Sequence, residues 1–215
     1  MWNSIYLLCA TGPAQLVDVN LVFAISANSM DSDRTFLQMQ EIMKSVVDTY
    51  PTSNIFYSVL SFGDSPVVHL DFTDQLSDEN IKRTIDSIGQ TTGSSSLDKA
   101  LDKARDLLNA AATERPGAKN ILVVMVDSKS DSDMIDVKVS SRLLRGDGVK
   151  VMVVGVGNEV DQEETGSITY IAILTNTTDR PEGVAKEIIR NIDKGKNEAG
   201  LRSILYSFEI SLCDR

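Results

Sequence analysis

Residues 21–30, LVFAISANSM, decide how this chain is read. Five apolar residues run into a small polar loop, and from Asp31 a helical pattern begins. A buried strand that turns directly into an amphipathic helix is the opening unit of a doubly wound α/β sheet. In such sheets, ligands bind outside the carboxyl ends of the strands. Ala24, Ser26, Asn28 and Ser29 therefore stand where a site would be built.

The pattern repeats on either side of this stretch. Residues 18–26 form a β-branched apolar run, and Phe36, Met39, Met43, Val46 and Tyr50 recur at helical spacing over 31–50, with Pro51 as a stop. Residues 54–62 (NIFYSVLSF) read as a second buried strand. The turn GDSP leads into 67–72 (VVHLDF), which is expected as an antiparallel edge strand because so short a connection forbids a crossover. Helical spacing returns over 77–88 and 96–112. The continuous apolar runs at 120–126 (NILVVMV) and 150–157 (KVMVVGVG) have the composition of parallel strands covered on both faces. A helix over 132–145 is expected between them. A last sheet strand is expected at 169–175 and a last long helix at 182–194. The fold class is α/β: a doubly wound, mostly parallel sheet with one antiparallel edge strand and helices on both faces.

Composition narrows the partners. The chain has 215 residues, a formal charge of −10 and a pI near 4.6, which argues for one large domain and against nucleic acid or an anionic membrane as main partner. No apolar run approaches the roughly 18 residues that a membrane span needs. The stretch MWNSIYLLCATG has an apolar segment and a small-x-small ending, but no basic start, so residues 1–16 are read as a flank or a truncated leader. The two cysteines, Cys9 and Cys213, sit near opposite ends of the chain. A disulfide clasping the termini is expected, which would place the protein in an oxidising compartment; two unrelated buried thiols are the alternative.

The order of blocks DVNLVFAISANSM, IFYSVLSFGDSPVVHLDF, LDKALDKARDLL, AKNILVVMVDSKSD and LLRGDGVKVMVVGVGNEVD resembles a von Willebrand factor type A domain, closest to the extracellular members in matrix collagens and matrilins. The resemblance runs from about 17 to 195. It implies a domain over 17–198, with 199–215 a tail packed on it. The family's function usually resides in a metal-ion-dependent adhesion site: Asp-x-Ser-x-Ser after the first strand, a Thr before the third long helix, and an Asp after the fourth strand. A hard divalent cation takes such oxygen ligands and leaves a position open for a partner's carboxylate. Laid on this sequence, the pattern puts Ala24 at the aspartate position, Ser26 second, Asn28 third with Ser29 beside it, Ser95 at the Thr position, and Asp127 last.

The implied metal ligands are thus Ser26, Asn28, Ser95 and Asp127, a degenerate set with one carboxylate. The expectation is that no cofactor is required and that Mg2+, Mn2+ or Ca2+ binds weakly at most. Asp31, Asp33, Asp64, Asp131 and Asp133 lie in the same loops, either as a rebuilt site or as a solvated acidic rim.

Other motifs have plainer explanations. His69, the only histidine, is read as a surface or satisfied residue and not as a catalytic base. GVGNEVD (155–161) lacks the third glycine of a dinucleotide fingerprint. RGD at 145–147 falls where a helix turns into a strand, with Gly146 or Gly148 as cap. Asn176 opens an Asn-Thr-Thr glycosylation sequon, meaningful in a secreted chain. The leading function is a secreted, non-enzymatic adhesion module that binds matrix proteins such as collagen. The alternatives are an intracellular assembly module of the same fold and a small-molecule or nucleotide enzyme. Neither a phosphate-cradling loop nor a catalytic constellation supports the last.

Overall fold

The computed structural model describes residues 18–28, 33–50, 55–74 and 76–193. Six strands, β1 (Val19–Ser26), β2 (Ile55–Phe62), β3 (Pro66–Leu70), β4 (Lys119–Ser128), β5 (Lys150–Glu159) and β6 (Ala172–Thr175), form one sheet in the order β3-β2-β1-β4-β5-β6. Every pairing is parallel except β2 with β3. The chain switches direction across the sheet at β1, with β2 on one side and β4 on the other. This is the topological switch point at which a crevice opens beyond the strand ends.

Alternation along β1 sorts its side chains onto two faces. Val19, Leu21, Phe23 and Ile25 pack with Phe36, Met39 and Met43 of helix α1 (Asp33–Thr49). The same layer holds Ile81 and Ile85 of α2 (Asp78–Asp86), and Val184 and Ile188 of a last helix, α6, over 181–193. On the other face, Val22 and Ala24 pack with Leu97, Ala100 and Leu101 of α3 (Leu97–Glu114) and Val137 and Leu144 of α4 (Met134–Gly146). Both faces are covered, which is why β1 and β4 read as unbroken apolar runs.

Three elements differ from the sequence reading. A short helix, α5 (Gln162–Ile168), follows β5 where none is expected. Its stretch QEETGSI has too little apolar periodicity to announce a helix, and its signal is the N-cap: the Asp161 carboxylate accepts from the Glu164 amide at 2.8 Å. β6 begins at Ala172 and not at 169, because Thr169 ends α5 and donates its hydroxyl to the Val151 carbonyl at 2.6 Å. A single turn of 3-10 helix (Phe72–Asp74) follows β3. Gly155 is required by packing: a Cβ there would come within 2.8 Å of Val160 and 2.9 Å of Leu174. Cys9, Cys213, the residues read as leader or flank, and the tail after 199 lie outside the described residues.

Candidate functional site

The carboxyl ends of β1, β2 and β4 converge at the switch point. β1 ends at Ser26, and Ala27 continues the edge with its amide donating to the Phe62 carbonyl at 2.8 Å and its own carbonyl accepting from the Thr91 amide at 2.8 Å. The β1–β4 register pairs Ile25 with Met125, so Ser26, Ala27 and Asp127 stand together at adjacent strand ends.

Ala24 does not belong to this edge, and its assignment to the motif's aspartate position is corrected. It lies inside β1, paired to Leu60 and Val124, only 1% exposed, and in the apolar layer under α3. Two residues short of the strand end, its side chain is enclosed by the apolar layer and does not reach the edge. A motif that begins where the first strand ends begins at Ser26, which puts Asn28 third and Met30 fifth. On that alignment Ser26 stands at the aspartate position.

Asp127 is fully buried at the end of β4. Thr35 of α1 donates its hydroxyl to Asp127 Oδ2 at 3.2 Å, and Ser128 donates to Oδ1 at 3.2 Å. Asn28 donates its side-chain amide to the Gly93 carbonyl, tying the β1 loop to the loop before α3. That loop is held from two further sides. Ser94 gives both its amide and its hydroxyl to Asp64 Oδ1, each at 2.6 Å, and these bonds, the hydroxyl's first, hold the Asp64 carboxyl below the ordinary carboxylate range. Gly93, at φ +124°, makes room for this carboxylate; a Cβ would lie 2.7 Å from its oxygen. Ser95 is fixed through its backbone, its amide donating to Asp131 Oδ2 at 2.8 Å and its carbonyl accepting from the Asp131 amide at 3.0 Å.

The loop after β4 is anchored in the same manner. The buried Glu164 of α5 accepts from the Ser130 amide at 3.0 Å and its hydroxyl at 2.6 Å, and Ser132 donates to Asp98 of α3 at 2.5 Å. Burying a carboxylate is tolerable only when its lone pairs are used, and here they are.

The donor chemistry does not match a divalent ion held by carboxylates. Asp127 is the one anionic group in the set Ser26, Asn28, Ser95 and Asp127, and it already accepts two hydroxyl bonds. Among the described residues no three His, Cys, Asp or Glu side chains group as metal ligands. Ser29 and Asp31 lie outside the described residues.

The remaining motifs are absorbed by the fold. His69 Nε2 lies 2.7 Å from Ser61 Oγ on the neighbouring strand, a pairing invisible in the sequence, and its partial burial lowers the imidazole pKa. In RGD, Arg145 donates to the Ile168 carbonyl, and Asp147 is paired with Arg105 at 2.5 Å. Gly148, at φ +79°, supplies the left-handed turn that ends α4. Asn176 is exposed in the turn after β6, on the same edge of the sheet as the switch-point loops. Among the described residues no helix is long and apolar enough to cross a membrane.

Comparison with known proteins agrees with this architecture. Human vitrin is 25% identical over 150 residues, covering 68% of this chain and 22% of vitrin. Mouse collagen alpha-6(VI) chain is 26% identical over 209 residues, covering 94% of this chain and 9% of the collagen. The chain thus spans a small part of the length of the curated relatives it matches. Among solved structures, a mussel byssus proximal thread matrix protein with a zinc-occupied MIDAS motif superposes with a TM-score of 0.70 at 19% identity, covering 82% of this chain and 46% of that one. A von Willebrand factor type A protein from Catenulispora acidiphila gives 0.64 at 18% identity, covering 80% of this chain and 41% of that one. The family model for the von Willebrand factor type A domain matches residues 18–182, most of the chain and all six strands, and the chain belongs to that family.

Proposed function

We propose that this chain is a non-enzymatic interaction module of the extracellular matrix that binds another matrix protein, collagen being the class to test, through its switch-point edge without a structural need for a divalent cation. Family membership and relatives among the type VI collagens and vitrin support the module and its setting. One observation carries the cation independence: the loops of the edge are tied by direct protein hydrogen bonds, Asn28 to Gly93, Ser94 to Asp64, Ser95 to Asp131 and Ser130 to Glu164. In a cation-dependent edge the ion would draw these loops together and a partner carboxylate would complete its shell. Here hydroxyls replace the ion at Asp127, and the partner meets neutral donors and a rim that includes Asp64, Asp131 and Asp133. In the same proposal Cys9 and Cys213 form a disulfide and Asn176 carries a glycan.

The test is binding of the full chain to immobilised triple-helical collagen in Mg2+ and in EDTA. The expected result is equal response in both buffers. Binding that collapses in EDTA and returns with Mg2+ overturns the cation-independent reading.

A further inference from the structure

Among the described residues the sheet has two free edges, β3 and β6. Each exposes a large apolar side chain, Val67 at 51% and Leu174 at 52%. Neither strand carries a charged residue, the ordinary guard of an edge against a further strand. The stretch ILYSFEI (204–210), beyond the described residues, has the two-residue period of a half-buried strand. Ile204, Tyr206, Phe208 and Ile210 fall on one side of it, and Leu205, Ser207 and Glu209 on the other.

Topology decides which edge such a strand can join. The step from β1 to β2, toward the β3 edge, crosses by α1 on the face of Phe23 and Ile25. The steps from β4 to β5 and from β5 to β6, toward the other edge, cross by α4 and α5 on the face of Val22. These crossovers share one hand, and parallel crossovers are right-handed in about 98% of cases. Helix α6 packs through Val184, Ala185 and Ile188 on the face that α1 uses. A parallel strand after α6 therefore keeps the hand only if it lies toward the β3 edge, where every place up to β3 is taken. Joining β6 would need the opposite hand.

The exit of α6 leads the same way. The Tyr50 hydroxyl donates to Asp193 Oδ1 at 2.9 Å, and the Tyr50 carbonyl accepts from the Tyr57 hydroxyl. One residue thus ties the end of α6 to β2, the neighbour of β3. Ile192 lines a cavity together with Ile121 of β4. From β4 to a place outside β3 is four strand spacings, about 19 Å. Residues 194–203 reach about 33 Å when extended, enough to cover that distance. α6 ends at the amino ends of the parallel strands, and β3, running the opposite way, ends there too, at Leu70. A strand that starts there and runs with β1 and β2 is antiparallel to β3.

We infer that residues 204–210 form a seventh strand, antiparallel to β3 on its free edge. Val67 pairs with Ser61 on the face of α1, while Val68 is already packed on the opposite face. The side of the new strand that carries Tyr206 and Phe208 covers Val67, because cross-strand apolar pairs stabilise a sheet.

Amide–amide nuclear Overhauser contacts in the deuterated full chain test this, with a mixture of labelled and unlabelled chains to separate contacts between copies. Contacts between 66–70 and 204–210 within one chain are expected. The amides of 204–210 are expected to exchange with solvent about 100-fold more slowly than in an unstructured peptide. Phe208→Asp, which sets a charge in the apolar side, is expected to speed exchange in 204–210 about tenfold or more while β1 and β4 stay unchanged. Contacts of 204–210 with β6, contacts only between copies, exchange at the unstructured rate, or indifference to Phe208→Asp overturns the inference.

Discussion

Placing one carboxylate at two positions of β1 separates the strand interior from the site. Ala24→Asp inserts it between Leu60 and Val124 under α3, where no side chain can pair with it. Such a group stays protonated at neutral pH. Keeping it protonated at pH 7, about three units above its ordinary pKa near 3.9, costs about 4 kcal/mol at 1.36 kcal/mol per unit. That consumes much of the roughly 5–15 kcal/mol stability of an ordinary domain, and no cation recovers it. Ser26→Asp sets the same group at the strand end beside Asp127, where the two carboxylates repel each other unless an ion lies between them. Mg2+ or Mn2+ at about 100 times its dissociation constant would then stabilise the variant by about 2.7 kcal/mol. For a domain of this size that is a rise of about 5–10 °C in Tm. Thermal melts of the three proteins with EDTA and with each cation decide the matter. The native chain should show no cation shift, Ser26→Asp a clear one, and Ala24→Asp a low Tm throughout. A native chain that gains several degrees in Mg2+, with the gain abolished by Asp127→Ala, would refute the reasoning, because the acidic rim would then have rebuilt a site.

Two further expectations follow from single groups. Burial holds the His69 pKa below its ordinary value, so between that ordinary value, near 6.5, and the lower folded one the unfolded chain binds a proton that the folded chain resists, and stability falls as pH drops below about 6.5. Urea midpoints at pH 7.5 and 5.5 should converge in His69→Gln relative to the native chain, and an identical pH response in both would exclude the histidine as the cause. Intact mass after alkylation, with and without prior reduction, should show one disulfide joining Cys9 and Cys213; two thiols alkylated in the unreduced, unfolded protein would remove the proposed clasp.

The sheet was legible because its central strands are buried on both sides. Residues 120–126 and 150–157 have no polar face to confuse the pattern, and the short GDSP turn left β3 only an antiparallel place. α5 was hidden because a seven-residue helix buries too little for an apolar repeat; only Asp161 and its bond to the Glu164 amide mark its start. The error at Ala24 was avoidable on physical grounds. The apolar run continues through Ile25, so position 24 lies inside the strand and a ligand there would be enclosed by the core, whereas position 26 stands at its end.

The site itself was less legible, and the reason is the length of its connections. Asn28 reaches Gly93 across 65 residues, Asp64 reaches Ser94 across 30, and Ser130 reaches Glu164 across 34. No local spacing encodes such bonds, and a serine-rich loop such as TTGSSS reads as a linker until the fold delivers its partners. Each bond joins a loop to a different strand end or helix, so together they fix the relative positions of β1, β2, β4 and α5 at the edge. A metal ion does the same by drawing oxygens toward one point, and its affinity falls as charged ligands are lost. Hydrogen bonds spread over several carboxylates, Asp64, Asp127, Asp131 and Glu164, do not share that single point of failure. In the reading proposed above, Ser26 at the aspartate position removes a charge from the edge while these bonds keep its shape. On the same proposal, a preorganised surface with a weaker field would select partners by donors, acceptors and contour more than by one acidic side chain.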